Sequence, residues 1–333
     1  MPAANETNGV SVLNGNHVTN GIHKTNGING TNGVNGAKPR TLYIPDLFGG
    51  ILSGDPVENP REPEIGRMSE EWTKALTKMD PKTAKILTKA NFAYLISLSA
   101  PQADGEAFRM AVDWCIWAFV FDDHLQQRWK ESHRKCLFAI LQQVWLAQSK
   151  TGLDVTIPDY METRRQSIGS YCLFVVVEWA HGIKLTQDIF DHPSVATCER
   201  AAADLTWLVN DVLSYKKDIG FGVEHNIICL LKRQGCSEQE AMDRTGEIME
   251  QCQKDWDNAV ANLPSWGEET DKEVQRYLGA CRDVARANLW WRYVIAPTDT
   301  KLDPNSFLRS FKSGRYLNAE EAVQARTARI LTL

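Results

Sequence analysis

Asn210-Asp211-Val212-Leu213-Ser214-Tyr215-Lys216-Lys217-Asp218 carries the most informative pattern in this chain of 333 residues. Set on a helix, Asn210, Ser214 and Asp218 fall at i, i+4 and i+8, each turned about 40° from the last. They form one stripe bearing an amide carbonyl, a hydroxyl and a single carboxylate. These are hard oxygen ligands, suited to Mg²⁺ that keeps waters or takes its remaining oxygens from a phosphate-bearing substrate. Lys217 sits beside the stripe, within reach of an anion held by the metal. A solvated polar helix face shows the same spacing, so the triple gains meaning only from a second acidic cluster.

The totals narrow the classes. Hydrophobic content of 43% and charge of 24% are those of a soluble globular protein with a large core. A formal net charge of −5, without any long basic block, argues against a nucleic-acid partner. The 8 cysteines contain no CxxC pair and read as reduced, mostly buried thiols. The N-terminus has no apolar signal core, and the apolar run from Val112 to Phe121 contains Asp113 and is too short to cross a bilayer. The expectation is a cytoplasmic protein without a membrane span. The 11 tryptophans are unusual; they suit a core, and also a cavity that must present π faces to a cation.

Residues 1–38 repeat Asn-Gly with almost nothing between the pairs to bury, which predicts a disordered tail. Residues 39–62, rich in Pro and Gly, predict an extended lead-in lying across the folded body. From 63 to 333 the chain reads as one helical domain. Asp80-Pro81 predicts a capped start, with Ile86, Leu87, Ala90, Phe92, Leu95 and Ile96 forming an apolar face. Helices are predicted from about Gly105 to Gln127, from Glu131 to Ser149, from Ala201 to Lys216, and from Lys272 to Ile295, and Pro158 starts a further segment that carries Arg164, Arg165 and the apolar Leu173 to Val177. Ser237-Glu238-Gln239-Glu240 reads as a capping box for a helix reaching Leu263. Period-2 alternation is nowhere sustained, so the fold class is all-α.

The second cluster is Phe119-Val120-Phe121-Asp122-Asp123-His124-Leu125-Gln126. Two adjacent carboxylates after an apolar, aromatic helix are costly to bury unless paired or metal-bound; exposure at a polar helix end is the bland alternative. If that end opens on a cavity mouth, Asp122 is the metal ligand. Phe119 and Ala118, one turn earlier, and Cys115, about two turns earlier, would then line the wall below. His124 has no second His or Cys at ligand spacing, which argues against zinc.

Together the two clusters resemble class I terpene synthases, specifically the fungal-type sesquiterpene cyclases. Asn210-Asp211-x-x-Ser214-x-x-Lys217-Asp218 matches the family's Asn-Ser-acid metal motif in full. Asp122-Asp123-His124-Leu125-Gln126 resembles its aspartate-rich motif, with Gln126 where a third acid is common, so Asp122 is carried over as ligand and Asp123 as an outer or closure residue. The family's diphosphate-sensing arginine, 46 positions before the motif asparagine, falls on Arg164, with Arg165 as its neighbouring rival. The family's closing Arg-Tyr pair resembles Arg315-Tyr316 by context and Arg292-Tyr293 by distance; context favours Arg315 and Tyr316.

The resemblance implies a helical bundle around a central apolar cavity, an isoprenoid diphosphate substrate, and three Mg²⁺ ions held with the diphosphate by Asp122 on one side and by Asn210, Ser214 and Asp218 on the other. It allows a homodimer. Arg164 or Arg165, Lys217, Arg315 and Tyr316 would donate to the diphosphate. Trp114, Trp117, Phe174, Trp179, Trp207, Trp290 and Trp291 are expected mainly in the core, with Trp291 and Phe119 as candidate cavity walls. The implied reaction is ionisation of farnesyl diphosphate and cyclisation of the allylic cation. Geranyl or geranylgeranyl substrates, chain elongation, and non-catalytic isoprenoid binding are the alternatives. Asn210 and Ser214, where an elongating enzyme carries carboxylates, favour cyclisation.

Overall fold

The computed structural model describes residues 41–128, 155–220, 222–295 and 330–332, with side-chain surroundings for 42–119, 155–220 and 222–292. The Asn-Gly tail, the helix expected from Glu131 to Ser149, and Arg315-Tyr316 lie outside the described residues. The helices are α1 (Glu62–Leu76), α2 (Pro81–Ala90), α3 (Phe92–Ser99), α4 (Gly105–Arg128), α5 (Ile157–Ser167), α6 (Ser170–Ala180), α7 (Gln187–Phe190), α8 (Pro193–Gly220), α9 (Ile227–Arg233), α10 (Glu238–Ala261) and α11 (Glu268–Ile295).

α8 is the axis. Every residue from Ala201 to Val212 is buried, so this helix has no solvent face along three turns and must be enclosed by others. α10 and α11 pack along it, and α5, α6 and α9 close the remaining sides. α11 in turn packs on α3 and α6, and α4 lies on α1 and α3. The all-α class holds.

Local chemistry sets the boundaries. Asp80 caps α2, its carboxylate accepting from the Lys82 and Thr83 N–H groups at 2.9 and 3.2 Å, with Pro81 at the first helical position. Ser237 and Glu240 form the reciprocal capping box of α10, at 3.3 and 2.7 Å. The apolar face expected to run unbroken from Ile86 to Ile96 does not. Asn91 turns left-handed (φ 46°, ψ 58°), ends α2 and starts α3, and leaves Ile86 58% exposed. Asn tolerates this region because its short amide can bond locally, here accepting from the Tyr94 N–H at 3.3 Å. Gly66 lets α1 press against α3, since a β-carbon there would stand 2.6 Å from that of Ala93.

A short ladder escaped the sequence reading. β1 (Thr41–Tyr43) pairs antiparallel with β2 (Ile330–Thr332), Leu42 opposite Leu331. At three residues each, the strands are too short for alternation to show. Gln239 extends the pairing by imitating a backbone: its amide accepts from the Tyr43 N–H and donates to the Tyr43 carbonyl, both at 2.9 Å. After β1, Leu47, Ile51 and Leu52 are buried, and Asn59 donates to the Ala100 and Ala103 carbonyls. Two aromatic expectations are corrected. Trp117 and Trp179, read as core, are 57% and 49% exposed, because they sit on the outward faces of α4 and α6.

Candidate active site

The predicted stripe forms on α8. Asn210 and Ser214 are buried, and Asp218 is half-buried on the same face. The Ser214 hydroxyl donates to Asp218 Oδ2 at 2.5 Å, so two of the three oxygens already converge. Asn226, the N-cap of α9, donates from Nδ2 to the same Asp218 oxygen at 3.1 Å and to the Asp211 carbonyl at 2.8 Å. The α8–α9 turn thus folds back to hold the last turn of the motif helix. Lys217 is exposed.

Arg164 is the side chain that α5 delivers to this face. α5 starts at a Thr156 cap, and its last turn points Arg164 inward at 8% exposure. Arg164 Nη2 donates to Asn210 Oδ1 at 3.3 Å, and Nε and Nη2 donate to Asp211 Oδ1 at 3.1 and 3.0 Å. Its neighbour Arg165 goes elsewhere, bonding Asp204 at 2.6 Å and Glu162 at 2.6 Å. Of the two rivals, only Arg164 touches the motif. One position apart on a helix means about 100° of rotation, and the burial of Tyr160, four residues earlier, marks which of the two faces inward.

The structure adds residues that sequence reasoning left out. Asp211 is 1% exposed and accepts four hydrogen bonds: two from Arg164, one from Tyr160 Oη at 2.7 Å and one from the Ile227 N–H at 3.0 Å. A buried carboxylate needs this complement of donors. Burial pushes the Asp211 carboxyl up, and the Arg164 charge, the Tyr160 hydroxyl and the Ile227 N–H pull against it. Burial also works to lower Arg164, yet Asp211 and Tyr160 outweigh it, and the guanidinium ends raised. Burial wins at Asp211, whose carboxyl ends raised despite the four donors that hold it. Tyr160 was legible as the i−4 neighbour of Arg164, and Asn226 as a capping residue before the apolar run at Ile227.

Arg292, the less favoured of the two closing arginines, lies at this site. It is on the last turn of α11, its Nε is buried, and that nitrogen has no hydrogen-bond partner among the described residues. Burial lowers it to about 10; Arg164 pushes in the same direction, and Asp218 and Asp211 oppose. A guanidinium whose Nε is buried without an acceptor among the described residues, and which feels the charge of a second arginine, is suited to an anion. Arg315 and Tyr316 lie outside the described residues.

α4 continues as helix through Asp122, Asp123, His124 and Gln126 to Arg128, so the acid pair stands within the last turns of the helix rather than beyond its end. Their side chains lie outside the described residues. One turn before Asp122, Phe119 is 39% exposed; Ala118 is half-buried and Cys115 is buried. Phe119 stacks on Phe92 with centroids 4.2 Å apart, and Trp291, beside Arg292, lies 6.0 Å from Phe119.

Among the described residues no three His, Cys, Asp or Glu side chains gather as a metal site. The α8 oxygens are a different set, one amide, one hydroxyl and one carboxylate on one face, and their chemistry fits a hard divalent cation.

Residues 123–255 match the family model described as terpene synthase family 2, C-terminal metal binding. Over 354 aligned residues the chain is 53% identical to the cycloaraneosene synthase of Sordaria araneosa, covering 89% of this chain and 92% of that protein. The chain belongs to the terpene synthase family. It is 32% identical to the (+)-eremophilene synthase of Gibberella fujikuroi, covering 89% of this chain and 93% of the relative. A solved hedycaryol synthase superposes with a TM-score of 0.62 at 20% identity, covering 76% of this chain and 99% of that one, which supports the fold. Membership of this family makes the protein a terpene cyclase, a carbon–oxygen lyase acting on an isoprenoid diphosphate, and the matched metal-binding region implies dependence on a divalent metal. Among the described residues no helix is long and apolar enough to cross a membrane.

Proposed function

We propose that this terpene synthase ionises farnesyl diphosphate with Mg²⁺, three ions binding with the diphosphate, and cyclises the allylic cation to a hydrocarbon or alcohol. The observation that carries the reading is the contact of Arg164 with Asn210 beside the converged Ser214–Asp218 pair, together with Arg292, whose buried Nε has no partner among the described residues and which feels the charges of Asp218 and Asp211. Two guanidinium groups and a set of oxygen ligands in one place suit a diphosphate bridged to metal.

Bound Mg²⁺ would neutralise charge on the departing diphosphate as its C–O bond breaks. Asn210, Ser214 and Asp218 would hold it on one side and Asp122 on the other. Arg164 and Arg292 donate to diphosphate oxygens; Lys217, Arg315 and Tyr316 are further candidate donors. Asp211 holds the Arg164 guanidinium in place from behind. Below the polar rim, Cys115, Ala118, Phe119 and Trp291 form the wall that excludes water, since water would trap the cation as an alcohol. No side chain serves as nucleophile.

The eremophilene synthase likeness supports cyclisation, and the more similar relative is named for another product, cycloaraneosene. The test is therefore a panel. Purified protein with Mg²⁺ is given geranyl, farnesyl and geranylgeranyl diphosphate, and both released diphosphate and volatile products are measured, with cycloaraneosene as a reference compound. Product from farnesyl diphosphate is expected. Turnover confined to the longer substrate would reassign the chain length, and no diphosphate release from any of the three would overturn the reading. A cytoplasmic location and a homodimer are part of the same proposal, checked by fractionation and by solution mass.

A further inference from the structure

The break between α2 and α3 has a partner on α11, the helix that packs against α3. Because Asn91 turns left-handed, α2 ends at Ala90, whose carbonyl accepts from Trp291 Nε1 at 2.7 Å. A helix end leaves carbonyls without partners in the helix itself, and the indole supplies one here. Phe92, two residues on from Ala90, is the first residue of α3, and its ring contacts two others. It is 4.2 Å from Phe119 at an interplanar angle of 19°, and 5.8 Å from Trp291 at 32°. Three rings from α3, α4 and α11 thus meet at one place. One end of this group lies a turn from Asp122 and the other is next to Arg292.

We propose that this hydrogen bond, made possible by the Asn91 break, fixes the aromatic triad, and that Phe92 is a specificity-determining residue of the cyclisation. The proposal rests on the cyclase reading given above. Had α2 and α3 been one continuous helix, the Ala90 carbonyl would bond within the helix, and Phe92 would be rotated with the α2 face. With the break, the Trp291 N–H reads the position of Ala90 and carries α11 to it. Asn91 and the Trp291 N–H are positioning groups. The rings themselves offer π faces whose attraction for a cation depends on distance and tilt, so a small rotation changes which charge position is favoured. Ionisation is driven by the diphosphate end, and the triad decides between fates of the cation.

The experiment measures the ratio of main to minor products, a quantity separate from total rate. Phe92→Leu keeps apolar volume and removes the π face; Trp291→Phe keeps a ring and removes the N–H. Both are expected to lower the ratio by about fivefold or more, whatever the total turnover. Asn91→Ala, which disfavours the left-handed turn, is expected to shift the profile in the direction of Trp291→Phe. Asn91→Gly, which permits that turn, should hold the ratio within about twofold of the parent. Parent-like profiles from Phe92→Leu and Trp291→Phe would overturn the proposal, as would equal profiles from the Asn91→Ala and Asn91→Gly proteins. Should either ring variant fail to fold, the Asn91 pair decides. A parent protein that releases no diphosphate would instead count against the cyclase reading, so the two failures are distinct.

Discussion

Arg164 rests on Asp211 through two hydrogen bonds to one carboxylate oxygen, at 3.0 and 3.1 Å, and from there reaches Asn210. The oxygen-bearing stripe of α8 and the arginine are thus one assembly, with Asp211 joining them from inside. Asp211→Asn should disturb both folding and chemistry. Breaking a buried ion pair costs about 3–5 kcal/mol, so urea unfolding should show a loss of that order. Diphosphate release should fall further than the unfolded fraction explains, because Arg164 loses its support.

Arg165 gives the contrast. It bonds Asp204, whose side chain is 4% exposed, and does not touch the motif. Arg165→Ala should cost stability of about 3 kcal/mol. Turnover per folded molecule should stay at the parent level, whereas Arg164→Ala should reduce it at least about a hundredfold. Equal kinetic losses from the two changes would contradict the assignment.

The α8 oxygens should report on the metal. Asn210→Ala and Asp218→Ala are each expected to raise the Mg²⁺ concentration needed for half-maximal diphosphate release by at least about tenfold. Asp122→Ala should abolish turnover, and Gln126→Ala should change it little. A severe Gln126 defect would mean that this amide, and not only the acids before it, contributes to the site.

The closing arginine can be decided by comparison. The buried Nε of Arg292 has no partner among the described residues, and Arg292 feels the charges of Asp218 and Arg164, so Arg292→Ala should lower kcat about a hundredfold with farnesyl diphosphate. A larger loss from Arg315→Ala would return the role to the pair favoured by sequence context.

Acid should destabilise the fold through His225, which precedes the α9 cap Asn226 and whose ring centroid lies 5.4 Å from that of Tyr160. Burial first, and the Arg164 charge second, lower His225 to about 3, against about 6.5 for an unfolded histidine. The unfolded chain therefore binds a proton that the folded chain refuses between those values. Stability is fully present above about pH 6.5 and falls by about 1.4 kcal/mol per pH unit below it. Denaturant midpoints measured from pH 7 to pH 4 should show this slope, and a His225→Gln protein should show less of it.

Much of this site could be read from the chain. Asn210, Ser214 and Asp218 share a face because helical spacing requires it, and their residue types state the ligand chemistry. Asp80-Pro81 and the Ser237–Glu240 box announced helix starts in the same way, since capping is local. What escaped depends on contacts between distant segments. The choice between Arg164 and Arg165 turns on which of two adjacent residues faces α8, and the role of Asp211 on a tyrosine 51 positions away and a backbone N–H 16 positions on. Asn91 was hidden for the opposite reason: apolar periodicity continues across it, and only a left-handed turn with a distant indole shows that the helix stops.

The ladder of Thr41–Tyr43 with Ile330–Thr332 bears on how the enzyme can be rebuilt. Thr41 and Thr332 are direct partners, so a few-residue linker would join them without distorting either strand. Such a chain, with new ends opened in the turn at Gly267, should be a circular permutant that keeps the motif helix and its arginines in register.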